Sequence, residues 1–339
     1  MAVLFITLGN SEIQFDEHNL GDFRIIASGK SSILTKGDLS LNVRKNNRPQ
    51  KGSWWLPESS REGGAYILQF YEDFKNILQF PIVETLIEFI NREGIKHILF
   101  IVTDQTDPKH RTGDTLHYAT ILEKHFRQAL DLGESIKFST IEITENVRDL
   151  DFQYENFKKS LEPILNNQGT SEEKIYLFAQ GGIDQINHAL TLQLLQKYKS
   201  SVRIYQKPED ESLKEVLFPH LFLKDLNRQK IIKHLEDYDF GKAIDITLSE
   251  PVISQLCIYA NNRLQLKTDT AFLMANNFGK KHLHIIGPDL VEQLKTNWKE
   301  LTFIEKNKIK IQDLIYSIRI DVLQKNYNQA LIKFFTLFF

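Results

Sequence analysis

The chain is short of cysteine: Cys257 is the one such residue in 339. That excludes a disulfide framework and a cysteine-based zinc site, and it fits a reducing cytoplasm. Long apolar runs are missing too. Nothing approaches the ~20 residues of a membrane-spanning helix. The opening segment MAVLFITLGN has no charged start before a long apolar stretch, so no signal peptide is evident. Charge of one sign is also lacking: 42 Lys+Arg stand against 44 Asp+Glu, a formal −2. This excludes the broadly basic surface of a duplex DNA or RNA binder but leaves room for a small local anion pocket. Two nucleotide signatures are absent. The first predicted strand runs into GNSEIQ, not GxGxxG, and there is no Walker A sequence. NAD, FAD and ordinary P-loop ATP chemistry are therefore excluded.

What is present reads as a soluble globular chain of two domains with a fragment of a third. Hydrophobic residues make up 42% and charged residues 25%, and a chain of this length buries its cores without a staple. Residues 2–8 form a continuous apolar run that predicts a buried parallel strand. Short strands follow at 22–28 and 39–44, then a polar, Gly/Pro-rich loop over 45–64. Helical spacing covers 66–79 and 82–93. Strands at 97–102, 136–143, 174–179 and 201–206 then alternate with helices at 114–130, 151–166 and 183–198. That alternation predicts an α/β domain with a mainly parallel sheet, over residues 1–210. Beyond Lys207-Pro208 the pattern predicts an all-helical domain, with helices at 212–218, 227–236, 239–249, 252–264, 268–278, 289–305 and 309–339. The one strand candidate there is 282–287. No internal repeat or low-complexity stretch occurs.

In an open parallel sheet, ligands bind outside the carboxyl ends of the strands. Three such ends are polar. The first is Gly9, Asn10 and Ser11. The second is Thr103, Asp104 and Gln105, followed by Lys109, Arg111, Asp114 and Thr115. The third is Gln180, Gly181 and Gly182, with Asp184, Gln185 and Asn187 opening a helix. Paired glycines admit a ligand close to the backbone, and a helix N-terminus offers free N–H groups and a positive dipole end. Asn and Gln amides can read base edges and ribose hydroxyls. Taken together, the clusters predict a nucleotide-like ligand. Gly-Gly before a helix can equally be a plain turn, and Asn10 and Ser11 can simply cap the next segment.

These residues carry a resemblance. FITLGNS after the first strand, LQFPIVETLIEFI, ILFIVTDQTD with GDTLHYATILEKHF, NVRDLDFQYENFKKSLEPIL and YLFAQGGIDQINHALTLQLL occur in that order. They are similar to the CARF-domain proteins of type III CRISPR systems, in particular the CARF–HEPN ancillary ribonucleases. HLEDYDFGKAIDIT resembles that family's helical linker domain. The resemblance covers roughly residues 1–250 well. It implies a Rossmann-like CARF domain at 1–210, a helical linker at 211–308 and, at 309–339, helices like the start of a HEPN domain.

It also implies a sensor of cyclic oligoadenylate, cyclic tetra- or hexa-adenylate, in cytoplasmic antiviral defence. The ligand would sit across a C2 homodimer, which suits a ring of even symmetry, with no other cofactor, no metal, no membrane and no duplex nucleic acid. The expected ligand contacts are Gly9, Asn10, Ser11, Thr103, Asp104, Gln105, Arg111, Asp114, Thr115, Gln180, Gly181, Gly182 and Asn187. Some such domains cut their ligand without metal. Asn10 and Ser11 are the residues expected to carry that step, with Gln180 and the Gly181 and Gly182 amides as phosphate clamps. The alternative is a ligand-activated single-strand RNase represented without its complete nuclease domain. The HEPN signature is an Arg and a His with four to six residues between them. Arg111–His117 and Arg228–His234 have a similar spacing and are read as chance matches. His282-x-His284 is read as strand surface, His188 as a helix-face histidine, and Trp54 and Trp55 as loop anchors, with base stacking as their other role. Lys109 and Arg111 stand open between solvated charges and ligand contacts. Phe334, Phe335, Phe338 and Phe339 are read as the apolar face of a helix whose packing partners lie beyond the chain or on a second copy.

Overall fold

A computed structural model describes residues 2–28, 31–46, 54–130, 136–166, 174–208, 212–247, 250–288 and 299–338. The chain divides into two compact units, Met1–His220 and Leu221–Phe339.

The first unit holds two six-stranded sheets. Its strands are β1 (Ala2–Thr7), β2 (Gln14–Asp16), β3 (Arg24–Ser28), β4 (Ser31–Lys36), β5 (Leu39–Lys45), β6 (Trp54–Pro57), β7 (Leu78–Gln79), β8 (Ile95–Thr103), β9 (Lys137–Ile143), β10 (Lys174–Phe178), β11 (Val202–Gln206) and β12 (Lys214–Glu215). The main sheet runs β12-β11-β10-β1-β8-β9, parallel except for β12. β1 lies at its centre with every residue buried, and β8 exposes Lys96 alone. Central parallel strands covered on both faces need such unbroken apolar runs. β9, at the edge, alternates instead.

Helices α1 (Ser60–Gln69), α2 (Tyr71–Phe74), α3 (Leu86–Glu93), α4 (Leu116–Ala129), α5 (Leu150–Asn166) and α6 (Asp184–Tyr198) connect the strands. α3 buries Leu86, Phe89 and Ile90 and stops at Gly94, whose left-handed φ of 63° closes the helix. α4 buries Tyr118, Ile121, Leu122 and Phe126 at helical spacing. Phe100, Tyr118, Phe126, Tyr176 and Phe178 are wholly buried in the core beside β1, each contributing roughly 1.5–3 kcal/mol.

The second sheet, β3-β4-β5-β6-β2-β7, is antiparallel throughout. The sequence pattern predicted only two of its strands and a loop over 45–64. The structure corrects this: Trp54–Pro57 is β6, paired with both β2 and β5, and residues 60–64 already belong to α1, while 47–53 lie outside the described residues. Gly63 falls in the stretch read as a loop. In the structure it is a packing residue, since a Cβ there would lie 2.6 Å from the Pro57 side chain. Residues 66–79 are not one helix but the end of α1, α2 and β7. Residues 212–218 are not a helix either. Glu215 pairs with Tyr205 of β11, which carries the main sheet to that point.

Every assigned element of the second unit is helical: the run Phe218–Glu236, which starts in the first unit, then Phe240–Ile246, Pro251–Leu264, Thr268–Ile286, Phe303–Leu323 and Tyr327–Phe338. The expected strand at 282–287 is the end of the Thr268–Ile286 helix. The expected helix at 289–305 falls mostly outside the described residues, and 309–338 belongs to two helices broken near Lys325, at φ 62°. Arg263 holds the nearly buried Asp313 through Nε at 2.7 and 2.8 Å, beneath the rings of Tyr259 and Phe272. Thr268 Oγ1 donates to the same carboxylate at 2.8 Å. Among the described residues no helix is long and apolar enough to cross a membrane.

Candidate functional site

The carboxyl ends of β1, β8 and β10 lie side by side because these three strands are neighbours in the main sheet. The polar segments that follow them enclose a cleft of about 280 Å³. Gly9, Asn10 and Ser11 line it after β1, Thr103, Gln105, Gly113 and Thr115 after β8, and Gln180, Gly181 and Gly182 after β10. Nine of the thirteen sequence-predicted residues therefore meet at one place.

The other four do not line it. Asp104 and Asp114 are both engaged by Arg61 of α1, the second at 3.3 Å. Asp114 is fully buried and also accepts from the Gln105 backbone N–H at 2.7 Å and from Gln105 Nε2 at 2.9 Å. These two carboxylates thus shape the loop after β8 rather than face the cleft. Asn187 is buried and donates to the Gly181 carbonyl at 2.8 Å, bracing the turn from beneath. Arg111 stands exposed on the turn Arg111–Gly113.

Two loops meet backbone to backbone. A Cβ on Gly9 would lie 2.6 Å from the Gly182 nitrogen, and one on Gly181 would lie 2.5 Å from the Thr7 carbonyl oxygen. The glycines accordingly pack the β1 and β10 ends together, and Gly182, at φ 79°, turns the chain into α6. Thr7 Oγ1 locks the junction by donating to the Gly181 carbonyl at 2.9 Å. Glu12, wholly buried, accepts from the Gly9 N–H at 3.4 Å. Gln180 is held twice by the Lys207 backbone, donating to its carbonyl and accepting from its N–H. The Lys207 ammonium in turn donates to the Pro81 carbonyl, next to Ile82 of the cleft wall.

Two helices present their N-termini here. Neither α4, after Thr115, nor α6, after Ile183, has a side chain capping its first turn. Thr115 cannot cap because its hydroxyl donates to the Leu8 carbonyl at 3.4 Å and accepts from the Thr103 N–H at 3.2 Å. Uncapped helix N-termini leave N–H groups to be satisfied by solvent or an anion.

Sequence reasoning missed Gly113 and the remaining wall: Leu8, Ile82, His110, Val147, Arg148 and Ile183. A second cleft of about 790 Å³ adjoins the first, sharing Gln105, His110, Val147 and Arg148 with it and extending along residues 144–150 after β9. Arg148 lay inside a quoted segment and just after the predicted strand 136–143, but that strand end was not counted among the polar ones.

Trp54, Trp55 and His188 are not among the described residues that line either cleft. Trp55 packs on the core and its indole donates to Glu17 at 3.4 Å. His188 is exposed on α6. Arg228 and His234 share the helix Phe218–Glu236, where six residues turn the chain by about 240° past a full turn, so they stand on different faces. Half-buried His117, on α4, is held below the ordinary histidine range by burial and by the Arg61 charge.

No family model matches the chain, and no curated protein matches its sequence. Its fold is similar to that of a solved structure, Enterococcus italicus Csm6 bound to cyclic hexa-2′-fluoro-hexa-dAMP. The TM-score is 0.56 at 12% identity, over 99% of this chain and 67% of that one. The likeness speaks for the fold: a Rossmann-like α/β unit with a mostly parallel sheet, followed by a helical unit.

Proposed function

We propose that this chain is a cyclic oligoadenylate sensor of type III CRISPR antiviral defence, and that the strand-end cleft is its binding site. One observation carries the reading. Three adjacent strand ends and two uncapped helix N-termini open onto one cleft, and no carboxylate among the described residues lines it. Phosphate oxygens suit the free N–H groups, each charge-assisted bond being worth about 1.5–3 kcal/mol. Gln105 and Asn10 supply amides for adenine edges, and half-buried Ile82 and Ile183 supply apolar surface for the base. The solved Csm6 structure, similar over nearly the whole chain, carries a cyclic hexa-adenylate analogue, which supports the same ligand class here.

In this reading the α/β unit is the CARF domain. The helices after it are the linker and, from about 309, helices like those of a HEPN effector region. A ring of four or six nucleotides exceeds a cleft of 280 Å³, so two copies would face each other across the ring and each supply half of the site.

Exposed Asn10, beside Ser11 at the cleft, favours a second reading in which the ring is slowly cut. A ribose 2′-oxygen attacks the neighbouring phosphorus, the 5′-oxygen leaves and takes up a proton, and a 2′,3′-cyclic phosphate results. Alignment of the attacking oxygen and stabilisation of phosphate charge would supply the rate.

The test incubates the protein with cyclic tetra- and hexa-adenylate and a labelled RNA in EDTA. Binding of either ring is expected. Linear adenylate products establish the second reading, and ring-dependent RNA cutting establishes a nuclease. Failure to bind either ring overturns the proposal.

A further inference from the structure

Among the described residues that line the first cleft, Arg148 is the one lysine or arginine, and none is an aspartate or glutamate. It is exposed, and it stands on the wall that the first cleft shares with the second. The loop that carries it is built to hold one shape. Asn146 adopts a left-handed φ of 48°. The Asp149 N–H donates to the Asn146 carbonyl at 2.8 Å, and the Asp149 carboxylate accepts from the Phe152 N–H at 3.0 Å at the start of α5. Beneath the loop, wholly buried Gln153 donates through Nε2 to the carbonyls of Glu145 at 2.8 Å and Asn146 at 3.2 Å. A buried amide joined to two loop carbonyls fixes the backbone on which the arginine stands. Of the three acids that line the second cleft, Asp149 begins α5, Asp107 accepts from the Lys109 N–H at 2.9 Å, and Glu145 is exposed on the same loop as Arg148.

We propose that Arg148 is the anion anchor of this site, and that the two clefts form one trough. A phosphate of the ligand would pair with the guanidinium at the shared wall, and the neighbouring nucleoside would extend into the cleft between the loops after β8 and β9. This rests on the reading of the site as a cyclic oligoadenylate pocket. A guanidinium offers two parallel N–H donors to a phosphate, whereas a lysine offers a point charge. Both keep the charge, so Arg148→Lys retains part of the affinity and Arg148→Ala does not. Gln153 acts through the loop and is a positioning residue.

The experiment measures the affinity of the wild-type protein and of Arg148→Ala, Arg148→Lys and Gln153→Leu for cyclic tetra- and hexa-adenylate, across a range of salt concentrations. Arg148→Ala is expected to weaken binding tenfold or more and to flatten the salt dependence, because one phosphate contact is lost. Arg148→Lys restores the salt dependence and much of the affinity. Gln153→Leu weakens binding with the wild-type salt dependence kept, a pattern a lost charge contact does not produce. Wild-type-like affinity and salt dependence in Arg148→Ala overturn the inference. Absence of binding by the wild type overturns the functional reading instead.

Discussion

A histidine inside a parallel sheet cannot titrate as it would in water. His97 is buried on β8, 2.9 Å from Ser139 Oγ, and burial lowers its pKa to about 4, with a further push from the Lys137 charge. An unfolded chain binds that proton at about 6.5. Between the two values the unfolded state holds more protons, so stability is complete above pH 6.5, falls as the pH drops toward 4 and changes no further from this group below that. The expected loss is about 2–3 kcal/mol. Thermal melts of the wild type and of His97→Asn from pH 4 to 8 check it, and the variant should show the shallower slope. At Gly9 the expected effect is steric. Gly9→Ala sets a methyl against the Gly182 nitrogen and should cost about 1–3 kcal/mol, read as a lower urea midpoint. Single residues are also where the sequence was least informative. Gly9, Gly181 and Gly182 were legible as turn and approach residues, but that they pack on one another depends on β10 lying beside β1, across more than 160 residues of chain. Glu12 and Arg148 carried no local signal because burial and position on a cleft are properties of the fold.

At the scale of elements, the parallel strands and the helices between them were legible because their periodicity matches their burial: unbroken apolar runs for β1 and β8, a one-sided stripe for α3. The antiparallel sheet was obscured. Its strands are short, and the Trp54–Pro57 strand sits in a polar, proline-bearing stretch where pairing with β2 and β5 overrides local character. α1 proves to be more than a connector, since its Arg61 holds the two carboxylates of the loop after β8. Arg61→Leu leaves the fully buried Asp114 without its cation, a loss on the order of 3 kcal/mol for a broken buried pair. Denaturant titration should show that loss. Ring binding should weaken alongside, because Asp114 also fixes the Gln105 backbone at the cleft.

For the whole molecule, the division into an α/β unit and a helical unit was visible where strand–helix alternation gives way to helix after helix. The sheet ran on past that point because two residues of β12 are too few to leave a pattern. The two-copy reading proposed above predicts a stoichiometry of one ring for two chains. Light scattering should give twice the 39.5 kDa chain mass, and calorimetry about half a ring per chain. A monomer binding one ring each would contradict the two-copy site. Lys207 joins three segments, the ends of β10 and β11 and the Pro81–Ile82 stretch of the cleft wall. An amide proton held by a side-chain oxygen is released to solvent only when that contact opens. The Lys207 N–H, bonded to Gln180 Oε1, is therefore a built-in reporter. When the cleft fills and its walls settle, deuterium uptake at this one amide should slow, at a residue outside the cleft lining.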